Sequence, residues 1–457
     1  MKLTKTILCA WVLLTMAGCY PERIVWSPDG RHALVIGKDR LYLADPNGKV
    51  ADLGVAPPQC VAWMNDSKRY VAATAEKAAA WKDIEPLLSV EDKDNIIKLA
   101  RDMRAEILAD GKVELDKLKS YQDQGGEDIS AAKMYLRDCS SQGLAEKLGT
   151  AWKELESAKR DWSAIRVCEI SNAATQPAQV IAKSAYPVMS IRVAAHGKAV
   201  AWSAYKTDGK NSRSELFVAP ADGAGKPVSV VPLYGMFFDW SPDGRFLVYI
   251  TQQGSTKDTP LGKVERREVC AADGTMLKAI PPAVMLAGGF FGDNSRVRCL
   301  QDGRIIFASP DVELPTTEND LANQANLFVF DPRQATLTRL LPRQAQSVVP
   351  DLVDFFSVSP DGTRVCIPGE KGEVAVVELA TGKVDTIVAK PAEGGKEQKL
   401  HTVPVWRAGG ELCLIVPPAH PLGSPNRAEI ILWQAADTAR CLSKDWPDEV
   451  VQSVTGE

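Results

Sequence analysis

The chain has 457 residues, 45% of them hydrophobic and 25% charged, ample for a sizeable globular core. A formal net charge of −4 offers no basic field, so no nucleic-acid partner is expected. Four histidines and ten cysteines, with no CxxC pair and no histidine–carboxylate spacing, argue against a zinc site and a compact disulfide framework; no metal and no cofactor are expected.

The first predicted element is a targeting segment. Lys2 and Lys5 form a positive start, and Thr6 to Met16 is mostly apolar. The run is too short to span a bilayer stably, so a cleaved signal over residues 1–18 is the better reading. It ends Met16-Ala17-Gly18-Cys19, which resembles the bacterial lipobox, with Met16 departing from the usual Leu. The resemblance implies that Cys19 becomes the mature N-terminus and carries acyl chains, each buried CH₂ adding ~0.8 kcal/mol of membrane affinity. An ordinary secretory signal with an accidental cysteine is the competing reading. Tyr20 follows where inner-membrane retention uses Asp, which implies the outer membrane, facing the periplasm. No later segment is long and apolar enough to span a bilayer.

Next comes a repeated strand-turn-strand unit. Trp26-Ser27-Pro28-Asp29-Gly30, Trp240-Ser241-Pro242-Asp243-Gly244 and Val358-Ser359-Pro360-Asp361-Gly362 each stand between apolar runs. Pro presets φ, Asp bonds backbone amides and Gly accepts positive φ, so each reads as a tight turn between two buried strands. Weaker copies follow Trp63, Val193, Cys299 and Trp406. A second half, such as Leu41-Tyr42-Leu43 or Val374-Ala375-Val376-Val377 with its own turn, supplies a third and fourth strand. Repeated four-stranded antiparallel units are propeller blades. The turn-preceding positions 26, 63, 193, 240, 299, 358 and 406 lie 37, 130, 47, 59, 59 and 48 residues apart. Seven blades fit once an insertion of roughly 88 residues is removed from the second interval. The predicted division is therefore propeller over 19–75, insertion over 76–163 and the remaining propeller over 164–457.

In the insertion the strand pattern stops. Ser89-Val90-Glu91-Asp92 reads as a helix-opening capping box. Apolar residues then recur at Ile96, Ala100, Met103 and Ile107, and at Leu115 and Leu118, with Gly111 a kink or split. Gly125-Gly126 is the turn, and a second helical stretch from Asp128 carries a coiled-coil-like seam through Leu144, Leu148, Ala151, Leu155, Ala158 and Trp162. A self-packed helical hairpin is the simplest reading. At the other end of the chain the way the ring closes is left open, with Glu449 to Val454 offering one closing strand beside the first blade.

The repeated turn resembles the propeller repeat of the TolB-like, WD-repeat-like family. That resemblance implies an all-β propeller and leaves function open. No G-x-S-x-G elbow, H-E-x-x-H or P-loop occurs. The turn aspartates Asp29, Asp243, Asp302 and Asp361 read as turn-formers, and Trp26, Trp63, Trp240 and Trp406 as packing. Cys270, Cys299, Cys366 and Cys413 lie in apolar runs and read as buried thiols; Cys139 is the one expected at the surface. Cys19 is thus the single site residue, with no catalytic, cofactor-binding or metal-ligating residue assigned. The expected function is a lipid-anchored, non-catalytic interaction or scaffold module with a protein partner. The alternative is a propeller enzyme or small-ligand binder with a polar site in the central channel, which three or more charged side chains meeting there would favour.

Overall fold

The computed structural model describes residues 22–109, 113–124, 126–140, 143–172, 178–208, 211–252, 261–291, 295–310, 325–341, 353–369, 371–388, 400, 402–434 and 439–455. The signal segment and Cys19, with Gly111, Gly125 and His401, lie outside them. Seven four-stranded antiparallel sheets form the body, each with its strands in consecutive order. They are blade 1 (24–52), blade 2 (60–184), blade 3 (188–233), blade 4 (238–290), blade 5 (297–339), blade 6 (357–388) and blade 7 (405–441). The expected seven-bladed β-propeller is present, and the seven positions that precede a turn each end the first strand of a blade.

The local chemistry of the turns explains the repeat. In blade 1 the Ser27 hydroxyl donates to Asp29 Oδ1 at 2.6 Å, and the same oxygen accepts the Arg31 amide at 3.0 Å. The pattern recurs through Ser241, Asp243 and Arg245 and through Ser359, Asp361 and Thr363. Gly244 sits at φ +73°, and a Cβ there would meet the His196 ring at 2.7 Å. His196 belongs to the turn of the preceding blade and shares a 3.1 Å hydrogen bond with the Gly244 carbonyl. The tryptophans make the same kind of link. Trp63 Nε1 donates to the Val25 carbonyl at 2.8 Å, Trp240 Nε1 to Arg192 and Trp406 Nε1 to Ser357, each in the blade before.

The ring closes without the strand that the tail offered. Residues Asp448–Thr455 form an α-helix and add no strand to blade 1. Val450, Val451 and Val454 fall on one helical face and enter a shared core with Ile24, Tyr42, Ile430 and Trp446. Ser453 accepts the Lys38 amide through both its carbonyl and its hydroxyl at 2.8 Å, and Trp446 Nε1 donates to the Gly48 carbonyl at 2.8 Å. The tail thus clasps the first blade to the last.

The insertion leaves blade 2 between its second strand (Arg69–Ala78) and third strand (Arg160–Glu169), which pair from Arg69↔Glu169 to Ala78↔Arg160. It is more than a hairpin. Its helices are α1 (Trp81–Ile84), α2 (Val90–Ile107), α3 (Leu115–Gln124), α4 (Glu127–Cys139), α5 (Leu144–Leu148) and α6 (Lys153–Glu156). The Ser89 hydroxyl caps α2 by accepting the Asp92 amide. The predicted seam is broken at Gly149, whose φ of +52° no continuous helix allows, and Trp162 lies on the returning strand. Leu144, Leu148 and Leu155 still join Ile96, Met103, Leu118 and Met134 in one buried core. Arg137 gathers the stem, donating to the carbonyls of Ala79, Glu156 and Ala158.

Where this helical unit meets the propeller, charges are buried. Asp92 of α2 pairs with Lys206 of blade 3. Arg160 lies 3.5 Å from Glu127 and stacks over the Tyr186 ring at 5.0 Å. Burial pushes the Glu127 carboxyl up to about 7 against the pull of Arg160.

Two outcomes are expected. Gly244→Val should cost about 1–3 kcal/mol, because it meets both the positive φ and the His196 ring; an unchanged Tm in thermal unfolding would contradict the turn assignment. Joining Thr74 to Ala164 through a two-residue Gly-Asn turn should leave the β circular dichroism and remove helical signal, since those residues already pair.

Candidate binding site in the central channel

The first strands of successive blades pack side by side around the axis. Each runs from one pole, where it enters, to the pole of the repeated turns. Period-two alternation sets which side chains face inward. The position just before each turn-preceding residue holds Arg192 in blade 3, Asp239 in blade 4 and Arg298 in blade 5. Arg296, two residues before Arg298, stands at the entry pole, and Glu22 stands there in the segment leading into blade 1. Because second and third strands also join at the entry pole, the helical insertion emerges on that side.

These groups meet. Arg192 donates twice to Glu22, Nη1 to Oε2 at 3.2 Å and Nη2 to Oε1 at 3.0 Å. Arg298 and Arg296 approach Oε1 at 3.5 and 3.6 Å. The Arg296 guanidinium lies between the Phe237 ring at 4.5 Å and the Phe355 ring at 5.7 Å, and its side chain is 1% exposed. Behind this layer Asp239 accepts the amides of Trp240 and Cys299, each at 3.0 Å. Ser295 donates to Asp354 Oδ1 at 3.0 Å.

The electrostatics follow from burial and neighbours. Burial works to raise the Glu22 carboxyl, but Arg192, Arg296 and Arg298 outweigh it and hold the group at about 2. Burial and the nearby Arg192 charge push Arg298 down, while burial raises Asp354 despite its Ser295 bond. Burial also pushes the Cys60 thiol up to about 12. Guanidinium groups stay protonated and Glu22 stays ionised, so the cluster has fixed charges and no proton to exchange near neutral pH.

Against the cluster lies a cavity of about 690 Å³. Its walls are largely apolar, with Pro57, Pro58, Val188, Ile191 and Phe237 among them. The charged residues lining it are Arg23, Lys38, Arg192 and Arg296 against Glu22 alone. The arrangement suits binding of a group that is anionic at one end and apolar elsewhere.

The residues singled out in the sequence lie elsewhere. The turn aspartates bond their own turns at the far pole. His196 and His420 each bond a glycine carbonyl in a neighbouring segment and do not meet. Cys60, Cys139, Cys168, Cys270, Cys299, Cys366, Cys413 and Cys441 are all free thiols. Of the four expected to be buried, Cys270, Cys366 and Cys413 are, while Cys299 is half-buried; Cys139 is exposed. Among the described residues no three His, Cys, Asp or Glu side chains are grouped to hold a metal, and no helix is long and apolar enough to cross a membrane. Glu22, Arg192, Arg296 and Arg298 were missed. The signal that finds Arg192 and Arg298 is a charged residue one position before the end of an otherwise apolar first strand; Glu22 and Arg296 stand ahead of their strands and carry no such signal.

No protein-family model matches the sequence, and no curated protein matches it. Among solved structures the chain is similar to a puromycin hydrolase, at 12% identity and a TM-score of 0.49, covering 93% of this chain and 53% of that one. It is similar to a chain assigned as TolB from Agrobacterium tumefaciens, at 13% identity and 0.35, covering 60% and 86%. It is also similar to the propeller domain of the Trilobed protease from Pyrococcus furiosus, at 11% identity and 0.38, covering 63% and 92%. The chain spans about half the length of the puromycin hydrolase. The propeller assignment is read from the seven sheets themselves.

Glu22 gives a pH-dependent outcome. Its folded pKa lies below the unfolded one, so its contribution is present above about 4.5 and is lost as pH falls toward 2. Glu22→Gln should lower stability at pH 7 by about 1–3 kcal/mol and flatten the acid limb of stability between those values. Chemical unfolding across pH measures both; an unchanged acid limb would contradict the cluster.

Proposed function

We propose that this chain is a non-catalytic, lipid-anchored β-propeller of the bacterial envelope that acts as a protein-interaction module. The observation that carries the non-catalytic part is the fixed charge of the channel cluster. Arg192, Arg296 and Arg298 cannot act as acids or bases near neutral pH, and Glu22 at about 2 is a poor base. Such a cluster recognises charge and does not move protons. The anchor rests on Met16-Ala17-Gly18-Cys19, and the outer membrane, facing the periplasm, on Tyr20 after it. Cys19 is three residues from Glu22, at most ~11 Å of extended chain. An acylated Cys19 would hold the entry pole close to the lipid and place the insertion, which emerges at that pole, where a membrane-associated protein partner would meet the outer face of α2.

A second reading, a small-ligand binder with its site in the channel, is favoured over a bare scaffold by one observation. Four charged side chains, Glu22 and the three arginines, converge there.

Cys19→Ser should yield a protein without lipid mass that leaves the membrane fraction. A mutant that still sediments with membranes, together with an unacylated wild type, would contradict the anchor. A photo-crosslinking residue at exposed Lys98 of α2 should capture a discrete partner in the native envelope, identified by mass spectrometry. Equal, diffuse capture from Lys98 and from Arg333 at the turn pole would speak against a dedicated interaction surface.

A further inference from the structure

We infer that the cavity at the entry pole is a binding site for a carboxylate carried on an apolar body, read by Arg192 and Arg296, and that Glu22 is its built-in competitor. Three observations converge. The cavity is of ligand size, about 690 Å³, and closed in by proline, aliphatic and phenylalanine side chains. Its charged lining is four cations to one carboxylate, counting Arg23, Lys38, Arg192 and Arg296 against Glu22. Asp239 and Asp354 are not among its walls, and Asp239 spends both oxygens on backbone amides. The recognising groups are already in place. Arg192 forks onto a carboxylate at 3.0 and 3.2 Å, and Arg296 is fixed between two aromatic rings, so little ordering remains when a ligand arrives.

Glu22 shows which ligand chemistry the arginines accept. It is a carboxylate on an extended peptide segment, seated on three guanidiniums with about a quarter of its side chain still exposed. A ligand carboxylate would enter from the cavity, share or take the Arg192 fork, and lay its apolar part along Pro58, Val188 and Phe237. Phosphate-sized anions without an apolar body would leave those walls uncovered. The source of the carboxylate is either a free carboxylic acid or the C-terminus of an extended protein segment. This inference concerns the channel only and does not depend on the lipid anchor or on a protein partner, so either can fail without the other.

The test is binding of 4-phenylbutyrate to the whole chain, by thermal shift and titration calorimetry, with 4-phenylbutanamide as the uncharged control. The acid should raise Tm and the amide should not. Glu22→Gln should bind the acid several-fold more tightly, since the competitor is gone. Arg192→Gln should bind it roughly tenfold more weakly, as expected for loss of a charge-assisted pair. If Arg192→Gln does not fold, Lys38→Glu at the exposed rim supplies the same readout, with weaker acid binding and an altered salt dependence. An N-acetyl tripeptide ending in phenylalanine, as free acid and as amide, separates the sources. Tighter binding of the peptide acid than of 4-phenylbutyrate assigns the site to a protein C-terminus, and the reverse to a free acid. Equal shifts from acid and amide, or none in both the wild type and Glu22→Gln, would overturn the inference and leave the cluster a cross-brace.

Discussion

Each blade of this ring leans on the one before it through its turn, and the last contact in that circle has to meet the first. Gly244 lies against His196, and Trp63 and Trp240 reach back to the preceding first strand. At the seam the same logic holds across the whole chain. Arg407 Nε of blade 7 donates to the Gly30 carbonyl of blade 1 at 2.7 Å, and a Cβ on Gly30 would meet Ala408 at 3.0 Å. Among the described residues no strand is exchanged between first and last blades, since every sheet is built from consecutive strands. The closing energy must therefore come from side chains and from the C-terminal helix, whose valines fill the gap beside Tyr42 and Trp446.

The channel cluster adds a second tie across the ring rather than around it. Glu22 belongs to the entry of blade 1, Arg192 to blade 3, and Arg296 and Arg298 to blade 5. Buried ion pairs of this kind contribute little net stability, because desolvation offsets the attraction, but losing one partner leaves charges uncompensated and costs far more. The cluster therefore fixes which blades face one another more than it strengthens the fold. The insertion uses the same device at its base, where Asp92 and Lys206 join α2 to blade 3.

What could be read from the sequence was local. Ser-Pro-Asp-Gly encodes its turn in four residues, so blade number and first-strand ends came through, as did the capped start of α2 at Ser89. The seam from Leu144 to Leu155 gave the right buried residues and the wrong helix, because apolar spacing of three and four is met equally by short helices joined at a glycine. The tail offered a closing strand on the strength of its β-branched residues, although Val450, Val451 and Val454 already carry the helical spacing that the structure uses. The channel site was invisible for a different reason. Arg192 lies 170 residues from Glu22, and only the ring brings them together.

That separation has a consequence for how the molecule comes into being. A chain made from its N-terminus presents Glu22 long before Arg192, Arg296 and Arg298 exist to receive it. Arg23 waits longer still, for the Val454 carbonyl 431 residues away. Blade 1 therefore spends the whole of synthesis with one flank bare, and the native ring snaps shut only when the last helical turn emerges. Contacts of such span make folding slow and leave apolar edges open to wrong pairing in the interval. Truncations of even a few C-terminal residues would strand the process at its final step, producing an open arc of otherwise well-formed blades.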